Sequence, residues 1–112
     1  MEYQINNQQK KLANKLGVLI YPADAKSGKK IEIYDSQGIY MFSIGDSKYH
    51  DYNTYKEFEK MGEVNKGFAK WRRSLYLFRH EKELNKVGSR GFFSAVLLWG
   101  YPIPKEYNDR RF

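Results

Sequence analysis

Four side chains, Lys66, Lys70, Arg73 and His80, recur at the spacing of a helix surface. Placed at 100° per residue, they share one side of a helix within an arc of roughly 80°. Cations one turn apart stand about 5–6 Å from each other, close to the separation of successive phosphates along a nucleic-acid strand. Such a row can release condensed counterions from a polyanion. The spacing therefore points first to phosphate binding, with Arg90 and Lys48 as flanking contacts. Leu77 falls on the same side, which suits a contact surface better than bare solvent. The plain alternative is a solvated helix face. Across the wheel, Phe68, Trp71, Leu75 and Phe78 also fall within roughly 80°, as expected of a helix that turns an apolar stripe to the core.

Arg72 and Arg79 lie seven apart at the edge of that stripe, where their guanidinium groups could reach over the core. A half-buried arginine needs an acceptor. Asp51, in the run Tyr49-His50-Asp51-Tyr52, is the expected one, giving an Asp51–Arg72 or Asp51–Arg79 ion pair that fixes the loop to the helix. His50 and His80 are the only histidines. Acids stand beside both, but His80 and Glu81 diverge by 100° on a helix, so His80, Glu81 and Glu83 do not share one face and no metal site is expected.

Other motifs are weaker. Gly38-Ile39-Tyr40 with Ile44-Gly45 echoes the name of a nuclease family, yet both pieces fall on one strand. Asp46-Ser47-Lys48 mimics half of another nuclease motif, with Asp35 as the upstream acid. Lys26-Ser27-Gly28-Lys29-Lys30 lacks the spacing of a phosphate-binding loop and the helix that should follow it. No acids, bases and nucleophile converge, so the chain is read as a non-enzyme without cofactor.

The elements that must hold these side chains follow from composition and pattern. At 112 residues, 41% hydrophobic and 17% aromatic, the chain has the length of one domain and enough apolar surface to fold. It contains no cysteine, which removes disulfides and zinc-thiolate sites. Ten tyrosines suit half-buried or contact-making positions. No apolar run reaches the ~20 residues of a membrane span, and the start does not resemble a secretory signal. The net charge of +7 is segregated: the first 63 residues hold nine lysines against nine acids, whereas the remainder holds eleven cations, including every arginine, against four acids. A local field of that kind attracts anions.

Residues 1–17 read as a short helix or arm closed by Gly17. The β-branched run 18–21, the alternating run 31–35 and the run 39–44, the last two joined by Asp35-Ser36-Gln37-Gly38, read as a meander over 18–45. A helical part over 54–99 should hold a short helix begun at Thr54, a long helix over about 65–84 and a buried apolar helix over 92–99. Residues 100–112 read as a tail. The expected fold is α+β: a three-stranded antiparallel meander packed against two or three helices, in a single domain.

Several of these pieces occur together in a recognisable order. Ser43-Ile44-Gly45, Asp51-Tyr52, Arg72-Arg73 with Tyr76, Arg79-His80, and Ser89-x-Gly91 before Leu97-Leu98-Trp99 are followed by Tyr107 and Arg110-Arg111-Phe112. Over roughly residues 29–112 this pattern resembles an uncharacterised family of small basic proteins of tailed phages and large eukaryotic DNA viruses. The stretch from Glu57 to Gly67 is longer than that pattern has. The resemblance implies a viral accessory or virion protein, in the host cytoplasm, the nucleus or the virion, and carries no activity with it. The expected role is a basic protein binding nucleic acid through Lys66, Lys70, Arg73 and His80. The alternatives are a minor virion protein making protein contacts and an inhibitor of a host defence protein.

Overall fold

In the computed structural model the described residues are 2–105 and Tyr107. They form an α+β fold with a three-stranded antiparallel sheet and five α-helices, in two compact units. Of the described residues, the first takes 2–49, 102–105 and Tyr107, and the second takes 50–101.

The first unit opens with α1 (Asn7–Leu16). Asn6 and Gln9 close it reciprocally, each side chain accepting the other's backbone N–H at 2.8 and 3.0 Å. Gly17 ends it in the left-handed conformation, φ 85°, that a residue with a Cβ resists. The sheet runs β1 (Leu19–Pro22), β2 (Lys29–Tyr34) and β3 (Tyr40–Asp46) in the order β1-β2-β3, the meander expected from the alternating runs. Ile31 and Ile33 of β2 and Ile44 of β3 are buried with Ala13 and Leu16 of α1. The opposite face carries Tyr21, Tyr34 and Tyr40 edge to face, with ring centroids 5.4 and 5.6 Å apart. The Tyr34 hydroxyl donates to Glu32, and that bond raises the Tyr34 pKa. The Tyr107 hydroxyl donates to the carbonyl of Leu16.

The second unit is helical: α2 (Tyr52–Lys60), α3 (Phe68–Arg79), α4 (Glu81–Leu84) and α5 (Arg90–Trp99). Ser89 caps α5 by accepting the Phe92 N–H, and eight of its ten residues are buried, as a helix apolar on all sides must be. The helix predicted over 65–84 is two helices. His80 leaves helical geometry at φ −108°, and its backbone both ends α3 and begins α4. The apolar wheel sees only side chains and carries no sign of that break. Gly91 lets α5 approach α4 closely, because a Cβ there would fall 2.6 Å from the Cβ of Glu83. Among the described residues no helix is long and apolar enough to cross a membrane.

Candidate functional site

The second unit is organised around an aromatic stack. Tyr76 lies nearly parallel to Trp99, centroids 4.7 Å apart at 11°, and His80 also stacks on Tyr76, at 4.3 Å. The Tyr76 hydroxyl donates to Ser94 at 2.9 Å, and burial pushes the Tyr76 pKa up. Arg73, one turn back on α3, donates from Nε to the carbonyl of Trp99 at 2.8 Å and from its terminal nitrogen to that of Gly100 at 3.1 Å. Those carbonyls end α5, where helix geometry leaves acceptors without partners and a cation is favoured. Stack and guanidinium together set the rotation of α3 about its axis.

That rotation corrects the helix wheel. The buried arc of α3 is centred near Ala69 and Tyr76, about 140° from the centre of the Phe68/Trp71/Leu75/Phe78 stripe. Trp71 is 55% exposed, Leu75 37% and Phe78 77%, so the face expected in the core is turned to solvent. Only Phe68 is half-buried, its ring against Tyr55 at 5.3 Å and Trp71 at 5.6 Å.

The predicted cationic row does not form a coherent strip. Arg73 is engaged with the end of α5, and His80 pairs through Nδ1 with Glu83 at 2.9 Å while stacked on Tyr76. Lys66, exposed in the turn before α3, lies in the field of Glu59. Lys70 is left exposed on the helix. Arg90 is exposed in the first turn of α5, and Lys48 sits in the other unit, on the turn after β3.

The predicted ion pair is also replaced. Asp51 is buried, and its carboxylate accepts from the backbone N–H and hydroxyl of Thr54 at 3.1 and 3.0 Å, capping α2 one turn before the expected start. Among the described residues no ion pair joins Asp51 to Arg72 or Arg79. Arg72 instead lays its guanidinium over the rings of Tyr55 and Trp71, 5.6 and 5.9 Å from their centroids, with Nε buried and without a hydrogen-bond partner. Arg79 is exposed in the last turn of α3.

The start of α3 is held by Glu59, which sequence reading did not single out. Its carboxylate accepts the N–H groups of Gly67 at 3.0 Å and Ala69 at 2.8 Å, supplying from eight residues away the cap that Gly67 lacks. These two bonds, Gly67 first, lower the Glu59 pKa. A carboxylate whose folded-state pKa is depressed stabilises the fold above the ordinary glutamate range and loses that contribution as pH falls through the depressed value. Unfolding of Glu59→Gln should therefore diverge from wild type near neutrality and converge toward it in acid. Midpoints measured across that range check this; parallel pH profiles would refute it.

The remaining motifs resolve into turns and packing. Asp35 accepts the N–H groups of Gln37 and Ile39, each at 2.9 Å, and Asp46 accepts that of Lys48 at 2.9 Å, so both nuclease-like acids build turns. His50 packs edge-on against Tyr55 and Phe58. Among the described residues no three of histidine, aspartate and glutamate are grouped to hold a metal ion. In comparisons with known proteins, no family model, curated protein or solved structure matches the chain.

Proposed function

We propose that this chain is a non-enzymatic protein-binding module that meets its partner through the outward face of α3. The observation that carries this reading is the exposure of Trp71, Leu75 and Phe78 along one helix face. Three such side chains leave roughly 400 Å² of apolar surface in water, a patch size that on soluble proteins often marks a contact site. Tryptophan is also among the residues that most often dominate binding energy at protein interfaces.

This favours the role weighed second from the sequence, a minor structural or virion component making protein contacts, over nucleic-acid binding. Backbone binding needs a row of unengaged cations, and here Arg73 and His80 already have partners within their own unit. The viral setting rests on the resemblance over residues 29–112. Inhibition of a host defence protein would be one form of the same contact.

A benzophenone side chain in place of Phe78, with the same group in place of exposed Tyr49 as control, tests the reading in the cells where the chain acts. The expected result is a protein adduct at position 78 that survives nuclease and still forms when extracts are irradiated in about 0.5 M salt, where exposed charge pairs are largely screened. Equal adducts at both positions, or adducts lost to nuclease, would refute it.

A further inference from the structure

Resting on that reading, we propose that the partner presents an acidic amphipathic helix, whose apolar anchors cover Trp71, Leu75 and Phe78 and whose carboxylate pairs with Arg72. Trp71 and Phe78 are two turns apart, about 10.5 Å along the axis, with Leu75 between them. A helix offering apolar residues at i, i+3 or i+4 and i+7 spans the same length.

The charges beside the patch select the sign of the partner. α3 carries Lys70, Arg72, Arg73 and Arg79 and no acid from Phe68 to Arg79. On the wheel Arg72 and Arg79 border the apolar face on one side, and Lys70 stands beyond Ser74 on the other, so cations lie to both sides of it. Arg72 is the specific element. Its guanidinium lies over the rings of Tyr55 and Trp71, beside the patch, and among the described residues no carboxylate forms an ion pair with it. A planar, pre-positioned guanidinium suits a carboxylate, which it can bind through two parallel hydrogen bonds.

The other occupants fit less well. A second copy would bring the same cations against each other on both sides, a like-charge juxtaposition that opposes pairing. Single-stranded nucleic acid stacks on aromatic rings, but Leu75, between Trp71 and Phe78, offers no ring.

The test uses the full chain and a synthetic helical peptide with leucines at i, i+3 or i+4 and i+7 and glutamates on both flanks. A second peptide carries glutamine in place of each glutamate. Fluorescence of exposed Trp71 reports binding, with Trp71→Phe defining the signal of buried Trp99. The acidic peptide should bind about tenfold more tightly than the neutral one, and the difference should shrink with salt. Arg72→Gln should weaken the acidic peptide about fivefold and leave the neutral peptide unchanged, the coupling expected of a direct pair. Phe78→Ala should weaken both.

Equal binding of the two peptides would overturn the acidic partner and leave the contact surface standing. Failure of both to bind would overturn the helical partner, and the cross-link at position 78 would then decide the surface separately. Tighter binding of oligothymidylate that depends on Trp71 and Phe78 would overturn both readings. Self-association of the chain alone, abolished by Phe78→Ala, would replace the acidic partner with a second copy.

Discussion

Replacing Phe92 with alanine is expected to destabilise the protein by about 3–5 kcal/mol, whereas the same truncation at Phe78 should change stability by less than about 0.5 kcal/mol. Phe92 has no exposed surface, and its ring meets Phe93 edge to face at 5.7 Å. Truncation there removes a large apolar group and leaves a cavity that the surrounding side chains fill only in part. Phe78 is 77% exposed, so its loss removes little burial and opens no void. The pair is diagnostic because the sequence pattern assigns both phenylalanines to the interior, Phe78 by the helix wheel and Phe92 by its apolar segment. Urea unfolding of the two variants measures the difference directly. A large loss at Phe78 would mean that α3 turns its aromatic stripe inward, and the proposed contact surface would disappear with it.

The second large effect is expected at Arg73. Arg73→Ala should lower stability by about 2 kcal/mol, because a hydrogen bond from a charged donor contributes about 1.5–3 kcal/mol and this guanidinium makes two, one of them in a solvent-exposed setting. Its face-on contact with Tyr52, 5.6 Å from the centroid, adds to the loss. Lys70→Ala, in an exposed position on the same helix, should cost less than about 0.5 kcal/mol. Arg73→Lys should recover only part of the loss, since an ammonium lacks the planar fork that reaches both carbonyls. Urea midpoints for the three variants separate the possibilities. Were Arg73 a backbone-phosphate contact instead, its removal would leave the midpoint unmoved and flatten the salt dependence of nucleic-acid binding.

The two results bear on one another. Arg73 anchors α3 to the end of α5 on one side, and Phe78 is left in solvent on the other. A variant that frees Arg73 from Trp99 and Gly100 should loosen the rotation of α3 and so disturb the contact face without touching it. A variant at Phe78 should weaken partner binding with the fold intact. Separate losses of stability and binding are what a docking helix held from behind would give.

Local patterns carried most of the architecture. The meander was legible because strand periodicity and turn residues act over a few residues and agree with one another. The close of α1 at Gly17 was legible in the sequence, whereas its start at the Asn6–Gln9 capping box was not read from it. The burial of 92–99 follows from a segment with hardly any polar face to show to water. Asp51 was expected as the acceptor for an arginine of α3, but its carboxylate accepts instead from the N–H and hydroxyl of Thr54, three residues on.

What the chain alone could not decide was which way α3 faces. Its amphipathic pattern establishes that one side is apolar; burial of that side depends on what the rest of the chain has already covered. Here Phe92, Phe93, Val96 and Trp99 are buried on α5, and the contacts fixing α3 come from its polar and mixed residues: Tyr76 on Trp99 and Arg73 on the α5 carbonyls. These pairings join residues 23 to 27 positions apart, and Glu59 caps Ala69 over a span of ten. No wheel or motif encodes them, because each depends on the meeting of two segments in space. The sequence determined the elements and the sign of the charge, and the tertiary contacts determined which face those elements offer to a partner.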